Sequence, residues 1–211
     1  MKTYLFDFDG TLVDSMPTFA SVMKRILDEN GIKYGEDIVK IITPLGYAGT
    51  AKYFIELGID KSMEQLTALM QEYARKEYES TIPEKKGVCS TLKKLKSEGA
   101  SLNILTASPH SMLDPCLKRL GIFDIFDNVW SSDDFGTTKA NPEIYKMAAE
   151  RIGTPVEKII FVDDNIGALK SAKASGIITC GIYDESSKDS RKDIEALADY
   201  YAVVFEDLLT L

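Results

Sequence analysis

The run Leu5-Phe6-Asp7-Phe8-Asp9-Gly10 constrains this chain most, because an apolar stretch opening at Tyr4 ends in two carboxylates two residues apart and then a glycine. Residues i and i+2 of a strand project to the same face, so Asp7 and Asp9 stand side by side where the strand gives out into a turn at Gly10. Leu5, Phe6 and Phe8 leave neither face polar, the pattern of a central parallel strand. Open α/β sheets bind their ligands outside the carboxyl ends of such strands. Two crowded anions there repel each other unless a cation lies between them, and the simplest partner for oxygen ligands of this kind is a hard divalent ion such as Mg2+.

Downstream, Ser15 is placed to cap a helix with Pro17 in its first turn; Phe19, Val22, Ile26 and Leu27 form its apolar face and Gly31 stops it. Helical patterns follow over 36–43, 50–57 and 63–80, the last opened by a capping box at Ser62-Met63-Glu64-Gln65. From residue 83 short apolar runs alternate with helical ones: helices over 88–98, 111–120 and 142–152, one ending at Gly176 and one over 189–197, with strands at Leu102–Thr106, Val129-Trp130, Lys158–Val162, Ile177–Ile182 and Tyr200–Val204. Such alternation specifies a three-layer α/β/α parallel sheet, so residues 16–81 read as a helical domain inserted into a core made of 1–15 and 82–211.

Three further polar clusters stand at strand ends or helix starts: Thr106-Ala107-Ser108, Lys139-Ala140-Asn141-Pro142 and Asp163-Asp164-Asn165. One parallel sheet places such ends along one edge. Their chemistry agrees. Asp7 suits a nucleophile forming an aspartyl-phosphate, and Asp9 an acid/base that protonates the leaving oxygen and then activates water, its backbone carbonyl also able to reach the metal. Asp164, with Asp163 as a possible helper, completes a Mg2+ site with Asp7. Thr106 can donate to a phosphoryl oxygen, and Lys139 can neutralise the transferring group.

At these residues the chain resembles the haloacid dehalogenase superfamily of Mg2+-dependent phosphohydrolases. FDFDGTLVDS at residues 6–15 is similar to the family's D-x-D-G-T signature; Thr106, Lys139 with Pro142, and Asp163-Asp164 stand for its later motifs, in order and across the whole chain. A helical insertion after the first motif resembles the subgroup of phosphoglycolate phosphatase and β-phosphoglucomutase, which implies a Rossmann-like core and a mobile four-helix cap. Asp163 replaces the glycine found in many relatives and Ala168 replaces a later Asp, so the resemblance implies Asp164 as direct ligand and leaves Asp163 a ligand or a support behind one.

Ala107 and Ser108 are expected to line the phosphate, Ser108 reading equally as a helix cap. Asn165 is expected to orient Lys139 or a ligand aspartate. Asp14 reads as a helix cap or linker brace, His110 as a loop residue rather than a catalyst, and Lys52 as an exposed helix lysine. Pro44-Leu45-Gly46-Tyr47-Ala48-Gly49 reads as a loop between helices, with Tyr47 the candidate for substrate selection.

A formal charge of −8 speaks against nucleic acid or an anionic membrane as partner, and leaves a small phosphorylated metabolite as substrate. Cys89, Cys116 and Cys180 without C-x-x-C spacing fit a reduced, cytoplasmic setting, and neither a secretory leader nor a membrane span is expected. The expected activity is hydrolysis of a phosphate monoester. A sugar phosphomutase and a noncatalytic phosphometabolite-binding module are the alternatives.

Overall fold

Thr3–Phe6 (β1) has all four residues buried, which only a strand flanked on both edges and covered on both faces allows. In the computed structural model, which describes residues 2–211, β1 pairs in parallel with β2 (Ser101–Thr106) on one side and β4 (Ile159–Asp163) on the other. The described residues form one sheet in the order β3-β2-β1-β4-β5-β6, with β3 at Asn128–Ser131, β5 at Ile178–Ile182 and β6 at Tyr200–Ala202, every pairing parallel. This is the Rossmann-like order, in which successive connections leave β1 in opposite directions and open a crevice at its carboxyl end.

Side chains alternate across β1 as the pleat requires. Leu5 joins Ile144, Tyr145, Phe161 and Leu169 on the face covered by α7 (Glu143–Ile152) and α8 (Ile166–Ser175). Tyr4 and Phe6 stack with ring centroids 5.6 Å apart, and Phe6 meets Phe126 and Phe205 at 6.5 and 5.9 Å. Fully burying one such ring contributes about 1.5–3 kcal/mol. Helices α5 (Val88–Ser97) and α6 (His110–Arg119) carry the buried stripes Val88-Leu92-Leu95 and Leu113-Cys116-Leu117, and α9 (Arg191–Leu197) buries Ile194.

The chain divides into two compact units, 1–14 with 82–211 and 15–81. The second holds α1 (Met16–Glu29), α2 (Ile38–Ile42), α3 (Gly46–Glu56) and α4 (Met63–Ser80), whose Met23, Ile26, Ile42, Phe54, Leu66 and Met70 share one core. Ser62 and Gln65 form the expected capping box, with exchanged bonds of 3.2 and 2.9 Å. Ser15 precedes α1 but has helical dihedrals and makes no side-chain cap bond. Within the α/β unit, the stretch on which the helical segment leaves and the one on which it returns lie side by side in an antiparallel bridge: Asp14 N–H donates to the Pro83 carbonyl (3.0 Å) and Lys85 N–H to the Leu12 carbonyl (2.9 Å).

The expected loop at Pro44–Gly49 is corrected. A 3-10 turn over Thr43–Leu45 runs into α3, whose first turn contains both glycines. Gly46 supplies φ +62°, and Gly49 lies so close to Leu45 that a Cβ would stand 2.9 Å from the Leu45 Cβ. The glycines serve backbone conformation and close packing inside a helical stretch. Tyr47 is therefore a helix residue, half-buried, its ring 5.9 Å from that of Phe19.

The cysteines are free thiols, and burial pushes Cys116 up to about 11 and Cys180 up to about 12, so they behave as small hydrophobes. No described helix is long and apolar enough to cross a membrane.

Candidate active site

The sheet register alone brings the acidic strand ends together. Phe6 pairs with Val162, and Asp7 N–H continues the ladder to the Val162 carbonyl at 2.9 Å, so Asp7 and Asp163 leave adjacent strands at the same level. Gly10 at φ +75° turns the chain back, closing the loop with its N–H on the Val13 carbonyl (3.0 Å). A Cβ on Gly10 would lie 2.7 Å from Asp164 Oδ1, so only glycine lets this loop pass the carboxylate.

Asp7, Asp163 and Asp164 are buried, and each offers a carboxylate oxygen within 4.8 Å of the others'. Lys139 lies between two of them, its Nζ 2.6 Å from Asp7 Oδ1 and 2.8 Å from Asp163 Oδ2. Its backbone is held by Tyr145, whose hydroxyl reaches the carbonyl oxygens of Lys139 (3.0 Å) and Ala168 (3.1 Å). Burial works against the Lys139 ammonium, but Asp163 and Asp7 more than offset it and hold its pKa above the ordinary lysine value. Burial pushes the Asp163 carboxyl up to about 6 despite Lys139, and burial together with the charges of Asp163 and Asp7 pushes Asp164 well above the ordinary range. Ionised together, the three carboxylates would exceed the one ammonium by two negative charges, a repulsion that adds to burial in pushing Asp164 up. That all-oxygen donor set fits a hard divalent cation.

The tandem aspartates divide their work. Asp163 is spent on both oxygens, Oδ2 accepting from Lys139 and Oδ1 from Asn165 N–H at 2.7 Å. Asp164 accepts from the Thr11 hydroxyl at 3.2 Å. Asn165 does not orient Lys139 with its side chain. Its Oδ1 caps α8, accepting from Gly167 N–H (2.8 Å) and Ala168 N–H (3.1 Å), and its contact with the acids is through its own amide.

Thr106 ends β2 buried, its Oγ1 accepting from Ser108 N–H at 3.1 Å and so keeping its own O–H as a donor. Ala107 is exposed at the strand end. Ser108 is not the cap of α6, whose N-cap is Pro109; its hydroxyl donates to Asp9 Oδ2 at 2.5 Å. Asp9 and Thr106 are thus linked through one serine. Asp14 is exposed and braces the returning strand through its backbone, and Lys52 is exposed on α3.

His110 opens α6 and bridges two acids, Nδ1 to Asp114 and Nε2 to Asp134, each at 2.8 Å. The Asp114 hydrogen bond, aided by Asp134 and opposed by burial, raises its pKa above 6.5. A raised folded-state pKa stabilises fully below the unfolded value and loses that contribution as pH rises through the folded one. His110→Gln is therefore expected to lower the urea midpoint at about pH 6 by more than at about pH 8.5. An equal drop at both would show that the imidazolium contributes nothing.

Thr11 closes the first motif without its bond to Asp164 being readable from it, and Tyr145 carries no motif signal. Tyr145 is recognisable only as an aromatic hydroxyl on the buried face of α7 that needs a polar partner.

Residues 4–182 match the family model of haloacid dehalogenase-like hydrolases. A Thermotoga maritima phosphorylated carbohydrates phosphatase is 28% identical over 84% of this chain and 82% of its own length. A Pseudomonas putida phosphoglycolate phosphatase is 27% identical over 86% of this chain and 69% of its own. Among solved structures, one from Thermotoga maritima provisionally assigned as a β-phosphoglucomutase superposes with a TM-score of 0.84 at 26% identity, covering 100% of this chain and 97% of that one. With the motifs in order on a Rossmann-like sheet and the family model spanning most of its length, this chain belongs to the haloacid dehalogenase-like hydrolases.

Proposed function

We propose that the protein hydrolyses small phosphate monoesters with Mg2+, through a phosphoenzyme on Asp7. The observation that carries this reading is the Asp7 carboxylate at the tip of β1, 2.6 Å from the Lys139 ammonium and beside the buried oxygens of Asp164. Asp7 and Asp164 side chains, with the Asp9 backbone carbonyl, would hold the ion. When bound, Mg2+ offsets repulsion between the phosphate and the carboxylate that attacks it.

The chain's own residues supply the rest. Asp7 attacks phosphorus, the ester oxygen leaves with a proton from Asp9, and Asp9 then takes a proton from the water that cleaves the acyl phosphate. Lys139 neutralises phosphoryl charge while Asp163 holds it in place, and the Thr106 hydroxyl donates to a phosphoryl oxygen. Ser108, bonded to Asp9, keeps that carboxylate at the site. Tyr47 remains the side chain proposed for substrate selection.

Release of inorganic phosphate from a panel of sugar phosphates, phosphoglycolate and nucleotides tests the reading. Turnover is expected to require Mg2+ and to stop with EDTA. The structural likeness to a provisionally assigned β-phosphoglucomutase supports a second reading, phosphoryl return to sugar, for which isomerisation of a hexose 1-phosphate without phosphate release would decide. No turnover of either kind, with Mg2+ present, would leave a noncatalytic phosphometabolite-binding module and remove the enzyme proposal.

A further inference from the structure

The loop after β1 is gripped from outside the motif residues. Lys85 stands just after the chain returns to the α/β unit, and its ammonium donates to the Gly10 carbonyl (2.5 Å), the Tyr183 carbonyl (2.7 Å) and Asp184 Oδ2 (2.8 Å). Three donors thus meet three acceptors. Asp184 follows β5 and is 5% exposed, its other oxygen accepting from the Ser186 amide (2.9 Å) and hydroxyl (2.5 Å). One side chain therefore ties the loop leaving β1 to the end of β5, two strands away, with the acidic tip of β4 between them.

What that loop holds is Asp164. Gly10 passes so close that its backbone forms a wall against the carboxylate, and Thr11 donates the hydrogen bond that orients Oδ1. Outward movement of Gly10 and Thr11 would release both constraints together.

We propose that Lys85, anchored by Asp184, is a positioning residue for the divalent-cation site: by fixing the Gly10 carbonyl it keeps residues 10–11 against Asp164 and so sets the cation affinity. The inference rests on the reading of Asp7 and Asp164 as ligands. The Lys85 ammonium is spent on the Gly10 and Tyr183 carbonyls and Asp184, none of them a proposed ligand side chain. Lys85→Met keeps the aliphatic stem, removes all three donors and strands the buried Asp184 carboxylate.

Isothermal titration of Mg2+ into the full chain, free of other divalent ions, reads the effect without turnover. Loss of an outer support of this kind raises the Kd for Mg2+ by about tenfold. Maximal phosphate release at saturating Mg2+ is retained, so the change falls on the Mg2+ concentration needed. Asp184→Asn shifts the Kd in the same direction, and it decides the matter should Lys85→Met fail to fold by circular dichroism. Kd values within about twofold of wild type in the folded variants overturn the proposal, as does a fall in maximal rate with unchanged Mg2+ affinity. If the wild-type chain takes up no Mg2+, the ligand reading falls and this inference with it, a result distinct from wild-type binding that the variants share.

Discussion

Asp7→Asn reduces phosphate release by about 10^4-fold or more, the scale set by removing a nucleophile from an otherwise assembled site. Asparagine keeps the size and one acceptor oxygen of Asp7, so the backbone bond to Val162 and a contact with Lys139 survive. It cannot form the acyl phosphate. Rapid quenching with radiolabelled substrate should find label on the wild-type chain and none on the variant, while the variant keeps its far-ultraviolet spectrum. Residual release within about tenfold of wild type would take the nucleophile's role from Asp7.

Lys139→Met is expected to destabilise the chain as well as inactivate it. The ammonium has only 13% of its side chain exposed and lies between Asp7 and Asp163, of which Asp163 is fully buried. Methionine fills much the same volume but leaves two buried carboxylates without a cation, and breaking a buried pair this way costs about 3–5 kcal/mol. Burial already pushes Asp163 up to about 6, so in the variant one acid is expected to take a proton near neutrality, moderating the loss as pH falls. Urea unfolding without divalent ions measures the effect. A loss under about 1 kcal/mol would mean that the pocket neutralises its acids without Lys139.

Much of this was legible in the residues. The apolar run into Asp7 marks the end of a buried central strand, although β1 stops at Phe6 and the acid cluster joins Asp7 to Asp163 and Asp164 while Asp9 turns to Ser108. Thr106 and Asp164 stand out as residues at or just past the ends of strands in one parallel sheet, and Lys139 as the cation in the turn before α7. What stayed hidden is made of contacts between residues distant in sequence: Thr11 with Asp164, Ser108 with Asp9, Tyr145 with the Lys139 carbonyl and Lys85 with Gly10. Even where one partner lies in a motif, as Gly10 and Thr11 do, the pairing itself has no local pattern, since each depends on tertiary register. Gly46 and Gly49 misled in the opposite way. Glycine marks a turn and a tight contact with equal force, and here the second shaped α3.

The doorway through which the helical segment leaves the sheet is narrow. Because the outgoing stretch at Leu12–Asp14 and the incoming one at Pro83–Lys85 are bridged by their own amides, the span across which an insert must be joined is a single strand spacing. A segment of different length or sequence can hang from that doorway without lengthening any path inside the sheet, as tolerated domain insertions require. The helical segment can therefore change while the strand ends carrying Asp7, Asp163 and Asp164 stay as they are.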